Sequence, residues 1–329
     1  MYRIAIVTDN LRDQINGVVT TFNSMEKYAI EDGYEFVFID PSSFNHFSAP
    51  GYPEVKLSIP FGIGKIIEKL NPDYLHIATE GPVGLAARLY CDRKKYVYNT
   101  SYHTKFPEFL EEIYHVPSEL TYSYLRWFHK HSGIVLTNTA SMVDTLKEKG
   151  FDNRIIQWTR GVDTEKLKPT NEDNRDSSVL YVGRVSREKN LDALCELENL
   201  FDIVIVGDGP YRSHLERKYS EVKFVGYKTG SELANYYSKA SVFCFPSKAD
   251  TFGIVIIEAM SLGCPVAGFP VTGPIDIIEQ GVTGVVSNDL ESAIRGCLSL
   301  DRNVIKLKSK QWNWKNCWDQ FRKELIRRI

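Results

Sequence analysis

The chain has 329 residues, 43% hydrophobic and 25% charged, with a formal net charge of −2. That length suits two domains of roughly 150 residues each, and the near-zero charge excludes a protein that holds polyanions by its overall field. The six cysteines are scattered, with no C-x-x-C and no histidines at zinc spacing, so neither a disulfide framework nor a metal site is indicated and a reducing, cytoplasmic setting fits best.

In chain order, MYRIAIVTDN opens on an apolar run without the basic segment and long apolar core of a secretory signal, and no window approaches the roughly 18 apolar residues of a membrane span. Short apolar runs then alternate with longer helical patterns. RIAIVTD, YEFVFID, DYLHIAT, KYVYNTS and GIVLTN form a first series of predicted strands, and SVLYVG, FDIVIVG, VKFVG, ASVFCFP and CPVAGFP a second. Such alternation predicts βα units and parallel sheets covered by helices on both faces. Between the series, Asp163 to Ser178 is polar and aperiodic and reads as a linker. The predicted division is therefore an N-terminal domain over 1–165, a second domain over 178–305 and a closing helix in 306–329.

Three strands of the second series end in Val-Gly, at Gly183, Gly207 and Gly226. A glycine at a strand's carboxyl end permits a tight turn and close approach to a ligand, and that edge is where open α/β sheets bind. At the far end, Trp314, Trp318, Phe321 and Leu325 recur at near-helical spacing, which predicts a helix packed through its aromatics. Residues 301–329 also carry nine Lys or Arg against three Asp or Glu. These either lie solvated on the helix or guide a polyanionic acceptor.

The most informative stretch is SKADTFGIVIIEAMSLGCPV, Ser247 to Val266. Asp250 and Thr251 are N-cap types, Phe252 to Leu262 is mostly apolar, and Gly263 with Pro265 ends the helix. Glu258 then sits on a largely buried helix, where an ionised carboxylate is costly unless bonded or neutralised. One reading is a capping Asp250 and a Glu258 that reaches solvent. The other has both carboxylates accept hydrogen bonds from a polyhydroxylated ligand whose anionic part rests on the helix N-terminus. Elsewhere, Arg184 and Lys189 in GRVSREKN read by themselves as surface charges, Gly17 in INGVV as a turn glycine, and His103 in SYHTKF as a structural or exposed histidine.

Asp250 and Glu258 are separated by seven residues, with TFG between them and EAM at the second carboxylate. This resembles the signature of the retaining glycosyltransferases of family four. In that family the first acidic residue is usually Glu, so Asp250 is one methylene shorter. The resemblance spans nearly the whole chain, through DNLRDQINGVVTT, HIATEGPVGLAAR, TSYHTKFPEF, LRWFH, WTRGVDTEKL, YVGRVSREKN, VGDGP and VTGPIDIIEQGVTG. It implies the GT-B fold, two Rossmann-like domains facing across a cleft, and a nucleotide-sugar donor, UDP- or GDP-linked, with no separate cofactor.

By resemblance, Glu258 accepts from the ribose hydroxyls, Asp250 addresses the donor sugar, and the amides of Phe252, Gly253 and Ile254 face sugar and diphosphate. Arg184 and Lys189 converge on the diphosphate, Gly17 leaves it room, and His103 contacts the sugar. Tyr227 is a weaker candidate for lining the base pocket, and His76, His129 and His131 read as structural. No D-x-D triplet, the usual metal-holding device of the other common glycosyltransferase fold, occurs in the chain. No carboxylate nucleophile stands out either. The resemblance thus implies metal-independent, front-side displacement in which the leaving diphosphate helps deprotonate the acceptor.

The acceptor is expected to be a lipid or glycan, since the His103 and TEGP segments are most similar to a bacterial subgroup of mannosyl-, glucosyl- and glycolipid-forming transferases. Residues 1–100 hold ten Lys or Arg against twelve Asp or Glu, which weighs against a membrane-borne acceptor. A hydroxymethylated base of DNA is the alternative acceptor. A nucleotide-sugar epimerase and a non-catalytic sugar-nucleotide-binding protein are the alternatives of other classes.

Overall fold

The computed structural model describes residues 1–13, 16–49, 52–170 and 176–328. The apolar runs of the first series become parallel strands. They are β1 (Tyr2–Val7), β2 (Tyr34–Ile39), β5 (Tyr74–Ile77), β6 (Asn99–Tyr102) and β7 (Val135–Thr137), to which the structure adds a sixth parallel strand, β8 (Ile155–Gln157), and, between β2 and β5, an antiparallel hairpin of β3 (Asn45–Ala49) and β4 (Tyr52–Ile59). The helices among them are α1 (Gly17–Glu31), α2 (Ile63–Leu70), α3 (Pro82–Lys94), α4 (Phe106–Tyr114), α5 (Ser118–His129) and α6 (Ala140–Glu148). The second series supplies β9 (Val179–Val182), β10 (Ile203–Val206), β11 (Lys223–Gly226), β12 (Val242–Phe245) and β13 (Val266–Gly268), and β14 (Gly284–Val286) joins them. Around these run α7 (Asp192–Cys195), α8 (Arg212–Lys218), α9 (Gly230–Lys239), α10 (Ile254–Ser261), α11 (Pro274–Ile277), α12 (Leu290–Cys297), α13 (Arg302–Ser309) and α14 (Trp314–Lys323).

Each series closes into its own six-stranded sheet, in the orders β2-β1-β5-β6-β7-β8 and β11-β10-β9-β12-β13-β14. In both, the chain starts near the middle, builds to one edge, then returns and builds to the other. The reversal leaves a crevice at the carboxyl ends of the two central strands, between β1 and β5 in one sheet and β9 and β12 in the other.

Two compact units result, one of residues 1–160 with 314–329 and the other of residues 161–313. The division thus falls at Arg160, and the terminal segment 306–329 is shared, α13 going with the second unit and α14 with the first. Part of the expected linker, residues 171–175, lies outside the described residues. Its beginning is tied down: Asp163 O accepts from Lys166 and Leu167, and Leu167 is buried in the core of the second unit.

Helix α14 is held by its aromatic face. Trp318 is fully buried, 5.4 Å from Tyr34 and 5.8 Å from Phe36 between ring centroids, and its indole N–H donates to Asp32 at 2.7 Å. Phe321 packs on Phe22, Trp158 and His76. Most of the tail's cations are engaged at home. Among the described residues Lys308 meets Glu279, Lys315 meets Asp319, Arg322 meets Asp32, Arg327 meets Asp73, and Arg328 donates to the Pro72 carbonyl. Among the described residues, no helix is long and apolar enough to cross a membrane.

Candidate active site

The reversal between β9 and β12 brings together residues 61 positions apart. GRVSREKN leaves β9 and SKADTFG leaves β12, and the Lys189 ammonium meets both oxygens of Asp250, at 2.7 and 2.9 Å. Asn190 fastens the same two loops, donating to the Pro246 carbonyl at 3.1 Å. Burial pushes the Asp250 carboxyl up, but the adjacent Lys189 charge and its hydrogen bond outweigh this and hold it below the usual carboxylate range. Asp250 is therefore ionised at neutral pH, and Lys189 rests against it.

Glu258 lies one turn into α10. It is half-buried rather than exposed. Its Oε2 accepts from the hydroxyl of Tyr237, a fully buried residue of α9, at 3.0 Å. Burial raises the Glu258 carboxyl above its ordinary value, and the Tyr237 hydrogen bond offsets part of that rise.

The helix start differs from the sequence reading. Asp250 and Thr251 do not cap it; α10 begins at Ile254, with Gly253 as N-cap at φ +88° and no side-chain cap on its first turn. A side chain at Gly253 would be strained by that backbone and would press on Phe245, 2.9 Å from the added Cβ. The physical reason for the later start is that Asp250 is drawn to Lys189. Phe252 is buried, so of Phe252, Gly253 and Ile254 only backbone groups are suited to meet an anion at the helix start.

Arg184 is exposed at the end of β9, and Tyr227 is exposed just beyond β11. The Val-Gly strand ends have a reason internal to the chain. At Gly207, whose φ is +134°, an added Cβ would stand 1.9 Å from the Gly183 carbonyl, so the ends of adjacent strands touch backbone to backbone.

In the first unit, Asn16 caps α1 by accepting from Val18 and Val19 at 3.0 Å, and Gly17 follows at the first helical position. Among the described residues, an added Cβ at Gly17 would meet no atom within 4 Å, and its φ is not positive. Neither packing nor backbone thus demands this glycine. We expect Gly17→Ala to leave the melting temperature unchanged or slightly raised while increasing the donor KM about tenfold, about 1.4 kcal/mol. An unchanged KM would show that the space above Gly17 is not used.

His103 leaves β6 and is half-buried. Its Nδ1 faces Nη2 of Arg160 at 3.0 Å, and Arg160 also donates to Asn138. His76, His129 and His131 are engaged with Ser101, Thr100 and Asp92. Sequence reasoning passed over Arg160, Asn138 and Tyr237. Neither WTRGVDTEKL nor ELANYYSKA marks Arg160 or Tyr237 as buried, because the burial of a polar side chain depends on partners distant in sequence.

The family model for glycosyl transferases group 1 matches residues 176–303, and that for glycosyltransferase family 4 matches residues 15–166. The chain belongs to glycosyltransferase family four. This glycosyltransferase is 27% identical over 315 residues to the GDP-mannose-dependent alpha-mannosyltransferase of Corynebacterium glutamicum, covering 86% of this chain and 76% of that protein. It is 26% identical to a sulfoquinovosyl transferase of Arabidopsis thaliana, over 94% of this chain and 70% of the relative. It is 24% identical to the alpha-monoglucosyldiacylglycerol synthase of Streptococcus pneumoniae, over 80% and 70%.

Among solved structures it is similar to sucrose-phosphate synthase from Thermosynechococcus elongatus, with a TM-score of 0.77 at 17% identity over 98% of both chains. It is also similar to Anabaena HepE in complex with UDP and glucose, with a TM-score of 0.72 at 15% identity over 98% of this chain and 99% of that one. The fold is GT-B, and the enzyme is a glycosyltransferase that acts on nucleotide-sugar donors.

Proposed function

We propose that this glycosyltransferase is retaining and metal-independent, and moves a hexose or pentose from a UDP- or GDP-linked donor to a hydroxyl of a lipid or glycan. The observation that carries the reading is the group at the β9/β12 crevice: Lys189 against Asp250, and Glu258 held on Tyr237 beside the uncapped start of α10. The groups of the second unit suit the parts of a sugar nucleotide in turn. Lys189 and Arg184 with the amides of Phe252, Gly253 and Ile254 suit the diphosphate, Glu258 the ribose diol, Asp250 the sugar hydroxyls and Tyr227 the base.

In the proposed transfer the bond from the sugar's anomeric carbon to the diphosphate breaks. The acceptor oxygen bonds to that carbon from the same face, and the acceptor's proton passes to the departing diphosphate. Lys189 and Arg184 stabilise the charge that collects on the leaving group. The likeness to the Streptococcus alpha-monoglucosyldiacylglycerol synthase supports a lipid acceptor. The pairing of most tail cations within the chain weighs against a DNA acceptor.

The test has two stages. A thermal-shift screen against UDP, GDP, ADP and their sugars should pick out one base, because a ligand at 100 times its Kd adds about 2.7 kcal/mol of stability. With that donor, NMR of the product's anomeric proton should show the donor's configuration kept, and turnover should survive EDTA. An inverted product or a strict magnesium requirement would defeat the mechanism, and no shift with any nucleotide would defeat the assignment of the site.

A further inference from the structure

Arg160 is 3% exposed, yet among the described residues no carboxylate bonds to it. Its guanidinium donates to the Trp158 and Thr159 carbonyls, each at 2.8 Å, to Asn138 Oδ1 and to His103 Nδ1 at 3.0 Å. It also stacks on the Trp158 ring, 4.3 Å from the centroid. A guanidinium has five N–H donors and no acceptor, so the imidazole nitrogen facing it must present a lone pair.

Asn138 Oδ1 offers Nδ1 an alternative, at 3.4 Å, in which the imidazole would donate. Arg160 meets that oxygen at closer range and faces Nδ1 with the same nitrogen, so a proton on Nδ1 would be driven against the guanidinium N–H groups. Asn138 Nδ2 points instead toward the His103 carbonyl, at 3.5 Å. The geometry therefore leaves the imidazole proton on Nε2.

We propose that Arg160 is a positioning residue that fixes His103 as the neutral Nε2–H tautomer, making it a hydrogen-bond donor to a sugar oxygen and barring it from service as a general base. The tautomer stands on the contacts alone; the sugar contact rests on the function proposed above. Burial, then the charge of Arg160, then the His76 and His129 rings all disfavour the imidazolium, with only Asn138 favouring it, and together they hold His103 well below its ordinary value. Arg160 itself is pushed down only to about 10, so it stays charged at neutral pH. A neutral donor whose proton cannot leave suits a hydroxyl or ring oxygen of the donor sugar better than it suits the acceptor's proton.

Long-range 1H–15N correlation on the full chain labelled with 15N-histidine tests this, with His103 assigned by the signals lost in His103→Gln. The expected wild-type pattern is neutral Nε2–H, unchanged between about pH 5 and 8. Arg160→Met, checked for folding by circular dichroism, should mix the tautomers and bring the titration toward about 6.5. It should also add an acid limb to the pH profile of kcat/KM that the wild type lacks. Arg160→Lys keeps a charged donor and should keep the tautomer. An Nδ1–H or charged His103 in the wild type overturns the proposal, as does an Arg160→Met spectrum identical to it. If Arg160→Met does not fold, the wild-type and Arg160→Lys spectra decide. The spectra are read without donor or acceptor, so absent transfer activity with the expected spectra would count against the glycosyltransferase reading and not against this one.

Discussion

Glu258→Gln is expected to lower kcat/KM by about 30- to 1000-fold, or about 2–4 kcal/mol, while leaving the protein at least as stable as the wild type at neutral pH. Both halves follow from one carboxylate. The amide keeps the shape and still accepts from the Tyr237 hydroxyl but loses the charge that suits a ribose diol. On stability, burial raises the Glu258 carboxyl above its ordinary value, partly offset by Tyr237. A carboxyl raised in the folded state stabilises the fold below the ordinary carboxylate value, and that contribution is lost as pH rises through the folded value. At neutral pH the ionised group is therefore a cost that glutamine removes. Melting temperatures of both proteins from about pH 4 to pH 8 should show the variant gaining on the wild type as pH rises through the carboxylate range. Wild-type kcat/KM in the variant, or a variant that loses ground with rising pH, would contradict the role given to Glu258.

The largest effect on stability is expected from Trp318→Ala, at about 3–5 kcal/mol. Trp318 is fully buried against Tyr34, Phe36 and Phe321, so truncation leaves a cavity lined by rings that are themselves packed from other sides. It also strips Asp32 of the indole donor at 2.7 Å, which contributes most to holding that carboxylate below its usual range, leaving Arg322 at 3.0 Å. Urea unfolding measures the loss. A cost under about 1 kcal/mol would mean that α14 is only loosely docked and that its aromatics do not anchor it.

The amino-acid sequence by itself determined the βα alternation, the two series of strands and the family. Runs such as RIAIVTD and FDIVIVG are apolar on both faces, and a strand with that pattern is stable only inside a covered parallel sheet. It also determined which groups are available, because Asp250, Glu258, Arg184 and Lys189 stand at recognisable spacings around short motifs. The apolar runs do not include β3, β4, β8 and β14; β8 and β14 are three residues long and, unlike β7 and β13, stand in no longer apolar run. Cap preference alone puts the start of α10 at Asp250 and Thr251, because it takes no account of the lysine that draws Asp250 away. Only the tertiary structure decided that Lys189 rests on Asp250, that Tyr237 supports Glu258, that Arg160 faces His103 and that α14 belongs with the first unit. These partners are 61, 21 and 57 positions apart in the first three cases. Local periodicity reflects which face of an element is buried; which elements become neighbours depends on strand order and on where the chain reverses across each sheet, and no short window contains that choice.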